Sequence, residues 1–242
     1  MKNGMIIVGT IIMAAGLALG GWFMGNGFFK GRASERFVTV KGVSERDVHA
    51  DIGLWPIRFV STDDDLARAQ EKNAKSKQLI LDFLKRHSIE QEAIHLQRLS
   101  VNDLLANPYR SGSTKSRYII NQTLMVRTED PGLIQKASQD VGELVKAGVV
   151  LSSEGGMTNV PTYLFTRLSQ MKPEMIAEAT ANARRAAEQF AKDSGSQIGK
   201  IRRANQGVFV ILPRDRAPGI MEGSQLGKTL RVVSTIQYNL KD

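Results

Sequence analysis

Asp63, Asp64 and Asp65 stand in a row after Thr62, and a run of carboxylates is a first place to look for metal chemistry. A hard cation needs several oxygen ligands, and no other carboxylate or histidine cluster is placed to complete the set. The same triplet suits a helix N-terminus, where carboxylates accept free N–H groups and oppose the dipole. The three histidines, His49, His87 and His95, include no pair with ligand spacing such as HxxxH. His49 and His95 fall in predicted strands. His87 falls at a predicted helix C-terminus, where the dipole accounts for it. Gly223-Ser224-Gln225-Leu226-Gly227-Lys228-Thr229 resembles a phosphate loop. It has three residues between its glycines where four are needed, and Glu222 replaces the first glycine. A strand follows, where a helix would be needed to aim N–H groups at a phosphate. No serine lies in a G-x-S-x-G elbow, and no carboxylate pair stands out as an acid–base couple. These residues predict no catalytic centre, no metal site, no nucleotide site and no cofactor. They leave any small-molecule ligand unspecified.

Hydrophobic periodicity supplies the elements that would position such residues. Phe37 to Val43 and Val48 to Val60 read as strands, with Lys41-Gly42 and Ser44-Glu45 marking a bend between them. The next segment carries Leu66, Ala69, Asn73, Ser76, Ile80, Phe83 and Leu84 at helical spacing, one stripe that should lie on a sheet. Ile94 to Val101 and Tyr118 to Arg127 are strands around a polar loop, 106–117. Asp130-Pro131 opens a second helix with a cap and an N1 proline, and that helix stops at Gly148. Met157 to Leu168 is strand-like. Pro173 starts a third helix lined by Ile176, Ala179, Ala183, Ala186, Ala187 and Phe190, ending near Gly195. Ile201 to Leu212 is a strand with the buried-type run Val208 to Leu212, and 213–228 is a long loop. Leu230 to Leu240 alternates, with Leu230, Val232, Ile236, Tyr238 and Leu240 inward. The order ββαββαβαββ predicts an α+β fold, helices packed on mainly antiparallel sheets.

Met5 to Met24 is an apolar run with no charged side chain. As a helix rising about 1.5 Å per residue it spans about 30 Å, the hydrocarbon thickness of a bilayer. A cleaved signal peptide is the rival, but only Lys2 is basic, the core is long, and Ala18-Leu19-Gly20 is a poor cleavage site. Gly16, Gly20, Gly21 and Gly25 give two small-xxx-small spacings of the kind that lets membrane helices pack closely. Charge alone leaves orientation open, because Lys2 lies on one side of the run and Lys30, Arg32 and Arg36 on the other.

Absence of cysteine excludes disulfides, thiol nucleophiles, zinc–thiolate sites and lipoprotein anchoring. Formal charge is +9, which suits a domain close to anionic headgroups. The basic residues are scattered and aromatics make up 6% of the chain, so no stacking platform for nucleic acid is evident. Core packing accounts for the methionines.

Val38-Thr39-Val40-Lys41-Gly42-Val43-Ser44-Glu45, followed by Ala50-Asp51-Ile52, resembles the opening of the SIMPL-domain (DUF541) family. That family begins with an I-x-V-x-G-x-G-x strand and an A-D-x-A strand. Ala179, Ala183-Arg184, Ala187, Ala191, Gly195 and Gly199 resemble its alanine-rich helix with an A-x-x-A-R core. Asn73, Lys77, Ile89 and Ile94 fit as well, so the resemblance covers about residues 37 to 240. Val43, and the bulky Gly53-Leu54-Trp55-Pro56, depart from the pattern. The resemblance implies an extracytoplasmic bacterial domain of two linked α+β lobes, with no established catalytic residues. Some members form ring- or cage-like oligomers, and several are associated with envelope or oxidative stress.

The resulting expectation is a cytoplasmic N-terminus at 1–4, an inner-membrane anchor at 5–24, a linker at 25–36 and a SIMPL-like domain at 37–242 in the periplasm. Lobes at 37–150 and 151–242 are expected. The domain is expected to self-assemble and to act structurally or protectively, not as an enzyme, with Tyr109, Arg110, Arg214, Arg216, Ile220 and Met221 as contacts between copies. The alternative is a monomeric tethered module that binds anionic lipid headgroups or cell-wall polyanions.

Overall fold

The computed structural model describes residues 13–26, 36–106, 116–152 and 159–241. Helix α1 covers residues 13–26. Then come β1 (Phe37–His49), β2 (Ile52–Asp63), α2 (Leu66–Arg86), β3 (Ile94–Asp103) and β4 (Tyr118–Thr128). α3 (Pro131–Gln139), α4 (Gly142–Lys146), β5 (Thr162–Leu164) and α5 (Leu168–Asp193) follow. The chain closes with β6 (Gln197–Gln206), β7 (Val210–Pro213) and β8 (Gly227–Lys241). One sheet has the order β1-β8-β6, with β7 also on β8, and the other the order β3-β4-β2-β5. The pairs β2·β4, β2·β5, β3·β4, β6·β8 and β7·β8 are antiparallel, so the α+β class holds.

Contacts divide the chain into two compact units, one of Met1–Ser44, Pro173–Phe209 and Val232–Asp242, the other of Glu45–Lys172 and Val210–Arg231. Neither is a continuous stretch, so neither coincides with 37–150 or 151–242. The division falls inside β1, α5 and β8.

In the second unit, Trp55, Ile57 and Phe59 alternate inward along β2 and are fully buried. They pack with Ile80, Phe83 and Leu84 of α2, Leu124 and Val126 of β4, Ile134 of α3 and Leu144 of α4. Trp55 meets Phe83 edge-on, with ring centroids 6.5 Å apart. The expected stripe of α2 is buried at Ala69, Asn73, Ile80, Phe83 and Leu84, while Leu66 in the first turn stays exposed. Asn73 donates to Gln122 Oε1 at 2.5 Å across the helix–sheet interface. The single helix expected from Pro131 to Gly148 is two, because the chain leaves α3 at Asp140 and re-enters a helix at Gly142. Gly148, at φ 92°, ends that pair as expected.

In the first unit the core is Val38, Ala183, Ala187, Ile236 and Tyr238. Here the expected bend at Lys41-Gly42 is corrected, because β1 runs unbroken from Phe37 to His49. Gly42 is needed for closeness: an added Cβ would overlap the carbonyl oxygen of Ala179 and the amide nitrogen of Ala183 in α5. The helix answers with a buried stripe of Met175, Ala179, Ala183, Ala187 and Ala191. Ala186 and Phe190, expected on that face, are exposed. α5 also starts at Leu168, which places Pro173 inside it. The expected strand 201–212 is two strands, and Val208 within its supposedly buried run is 86% exposed. The alternation of β8 is as expected, with Leu230, Val232, Ile236 and Tyr238 buried.

Among the described residues no helix is long and apolar enough to cross a membrane. α1 holds the second part of the apolar run, and residues 5–12 lie outside the described residues. Met13, Leu17, Trp22, Phe23 and Met24 on α1 are all exposed.

Candidate functional site

The acidic triplet is consumed by local structure. Asp65 caps α2, its carboxylate accepting from Arg68 N at 3.0 Å. Asp64 accepts from Arg117 N at 3.1 Å. Asp63 takes Lys72 at 2.8 Å and Arg68 at 3.2 Å. The Lys72 hydrogen bond, helped by the Asp65 N–H and Arg68, lowers the Asp63 carboxyl to about 2. Among the described residues no three His, Asp or Glu side chains are grouped to hold a metal ion. His87 is the C-cap of α2: its Nδ1 is 3.0 Å from Phe83 O and its Nε2 3.1 Å from Asp140 Oδ2. His49 and His95 lie exposed in β1 and β3. The sequence therefore placed these groups in their correct elements.

Lys228, in the would-be phosphate loop, was not singled out by sequence, yet it is fully buried. Its ammonium donates to Tyr163 O at 2.7 Å and Glu222 O at 2.5 Å, and pairs with Glu222 Oε1 at 2.6 Å. All three protons are used, so the group ties β5 to the β7–β8 connection and leaves nothing for a phosphate. A signal was present, since Lys228 continues backward the inward phase of Leu230 and Val232. Asp51 of the A-D motif is likewise structural. It accepts from Thr166 N at 2.9 Å and Thr166 Oγ1 at 3.1 Å, and pairs with Arg167 at 3.2 Å, fixing the turn between β5 and α5.

Of the expected contacts between copies, Tyr109 and Arg110 lie outside the described residues. Arg214, Arg216, Ile220 and Met221 are exposed on the β7–β8 connection, Met221 at 75%. That connection is held at its base, where Asp215 N donates to Gln225 Oε1 at 3.1 Å and Gln225 Nε2 to Asp215 O at 2.9 Å. A Cβ added to Gly16, Gly20, Gly21 or Gly25 on α1 would meet open space.

Sequence patterning did not single out the exposed apolar strip on β3. Among the described residues β3 is an edge strand of its sheet. Leu96, Leu99 and Val101 pair with Leu124, Gln122 and Ile120 of β4, which are buried. The three β3 side chains share that face and are themselves 58%, 49% and 48% exposed. An apolar strip along an open strand edge is a template for another strand. A register shift between Leu96 and Arg98 leaves Arg98 to Asp103 as the regular part. Periodicity cannot separate an apolar residue inside a sheet from the same residue at an uncovered edge, so this surface required the strand order.

The model of the SIMPL family, described as a protein of unknown function (DUF541), matches residues 38–234. No curated protein matches the chain.

Proposed function

The chain belongs to the SIMPL family, and from that membership we propose that it is a membrane-tethered assembly module of the bacterial envelope. Residues 5–24 anchor it in the inner membrane, the domain lies in the periplasm, and copies join into a ring or cage. Its work is structural or protective, against envelope or oxidative stress, without catalysis. The observation that carries assembly is the exposed strip of Leu96, Leu99 and Val101 on the open edge of β3. The anchor is supported by the apolar side chains exposed on α1, since a helix apolar all round suits lipid.

Two β3 strands can pair antiparallel about a twofold axis through Ser100. Leu99 then faces the second copy's Val101, and Arg98 faces its Asn102. Such a contact uses the same patch on both copies and closes at a dimer. A ring or cage needs a second contact, and the exposed Arg216, Ile220 and Met221 are the candidates. The test is the mass of the full-length protein in mild detergent by light scattering. Leu99→Lys should reduce the assembly to the next smaller species. Ser100→Cys should form a disulfide between copies on mild oxidation. Antiparallel partners have Cα atoms about 5 Å apart, within disulfide reach, and the chain has no other cysteine to compete. An unchanged mass for Leu99→Lys together with no Ser100→Cys dimer would remove β3 as the contact, and a monomeric wild type would remove assembly altogether.

The second reading, a monomeric tethered module for anionic headgroups or cell-wall polyanions, is favoured by β6. Its exposed residues include Lys200, Arg202 and Arg203. It requires salt-sensitive co-sedimentation with anionic vesicles or cell-wall polymer by a monomer.

A further inference from the structure

The β1-β8-β6 sheet has two faces of opposite character. On one, Val38, Ile236 and Tyr238 pack with Ala183 and Ala187 of α5. Strand register sets the other. Leu240 N donates to Arg36 O at 2.9 Å and Arg231 pairs with Glu45 at 3.1 Å, so β1 and β8 run antiparallel, with Thr39 beside Gln237 and Lys41 beside Thr235. Gln237 and Thr235 pair in turn with Arg203 and Asn205 of β6. Thr39, Lys41, Arg203 and Asn205 are exposed, and no residue of these two rows is acidic. Arg202 joins the same face, because its guanidinium lies 4.6 Å from the ring centroid of Phe37. Phe37 alternates with the buried Val38 and is 44% exposed. Among the described residues no carboxylate pairs with Lys41, Arg202 or Arg203.

A polar, cationic sheet face attracts a polyanionic surface, and two observations favour a bilayer over a soluble polymer. The joint between α1 and β1, residues 27–36, keeps Phe37 within about 35 Å of the end of α1, and the face begins at that residue. An exposed ring beside a guanidinium also suits the headgroup level, where aromatic and long basic side chains settle. We propose that this face, with Lys41, Arg202, Arg203 and Phe37, rests on the anionic headgroups of the membrane that holds the chain. The contact deepens the headgroup reading above, rests on residues 5–24 being an anchor, and does not require a monomer. It uses residues of β1 and β6 and none of the β3 strip.

The test places the full-length protein in nanodiscs of phosphatidylcholine, with or without phosphatidylglycerol. The chain has no cysteine, so Thr39→Cys carries a single fluorophore on the face, and Ala186→Cys carries one at an exposed site of α5. Quenching by neutral acrylamide reads the exposure of each label to water. The Thr39 label is expected to be quenched several-fold less in the anionic discs than in the neutral ones, and high salt should remove the difference. The Ala186 label should be quenched equally in both. Adding Lys41→Gln and Arg203→Gln should remove most of the protection, since each cation near an anionic surface contributes about fivefold. The proposal is overturned by equal quenching of the Thr39 label in the two discs or by protection that survives both charge substitutions. Equal protection in neutral discs on adding soluble poly(glycerol phosphate) would overturn it too, and assign the face to a polymer. A protein that fails to enter neutral discs is a distinct result, which overturns the anchor and the proposal with it.

Discussion

At Gly42 a single methyl group would collide with backbone atoms of α5, and backbone cannot swing aside as a side chain can. Gly42→Ala is therefore expected to lose about 3 kcal/mol of stability, read as a lower urea midpoint with an unchanged slope. Its sequence signature, a glycine after lysine in a strand pattern, is the same as that of a turn, so sequence alone does not separate a bend from a close helix contact there. The partner half of the contact lay in the alanines of α5, 137 to 141 residues further along. Asp63 was legible as part of a helix start, but its ion pairs were not. Its carboxyl titrates at about 2 in the folded protein, below the unfolded value of about 4. The stabilisation it brings is thus complete above about pH 4 and is lost as pH falls through about 2. Thermal melting should fall across that acid window, and Asp63→Asn should flatten that part of the profile. A Tm–pH curve for Asp63→Asn that superimposes on the wild type would show that the Lys72 and Arg68 contacts do not hold in solution.

Elements were read best where burial alternates cleanly. β8 faces one side with Leu230, Val232, Ile236 and Tyr238, and its alternation alone placed it. The α2 stripe was recovered for the same reason, except in its first turn. The break between α3 and α4 was missed because both halves keep apolar residues at helical spacing. The exposed Val208 was missed because an apolar run carries no mark of which side is covered. β3 is the plainest case, since Leu96, Leu99 and Val101 have the pattern of a half-buried strand while only the sheet order leaves them bare. At the end of α2, Ser88 adopts φ 60°, a left-handed conformation in which glycine carries no Cβ penalty. Ile89 N and Ser88 N close the helix on Leu84 O and Lys85 O, both at 3.0 Å. Ser88→Gly is expected to raise stability by about 0.5–1 kcal/mol, measurable as an upward shift in Tm of the isolated variant.

On the scale of the whole chain, two expectations are separable, tethering and assembly. If the β3 edge joins copies, a chain of residues 31–242 should keep the subunit number of the full-length protein and lose its membrane fractionation. An oligomer that disappears with residues 1–30 would instead move the contact to the apolar segment and its glycine spacings. Family membership was legible from an ordered set of weak motifs, and the fold gives some of them physical meaning. Gly42 and the alanines of α5 form one close contact, and Asp51 holds the turn before α5. The basic outer face of the β1-β8-β6 sheet was not legible, because Lys41 and Arg203 are far apart in sequence and only strand order brings them onto one face.

The β7–β8 connection is cinched at its base by the Asp215–Gln225 pair of hydrogen bonds and by the buried Lys228 on Glu222. Residues 216–221 beyond that clasp are exposed and outside both core clusters. In a chain without cysteine, this tip is a natural reporter position. A lone thiol installed at Arg216 would be open, in a copy whose tip is not joined to another, to a reagent that cannot cross a membrane. Labelling it in whole cells and after lysis maps which compartment the domain faces, with the clasp keeping the label away from the core.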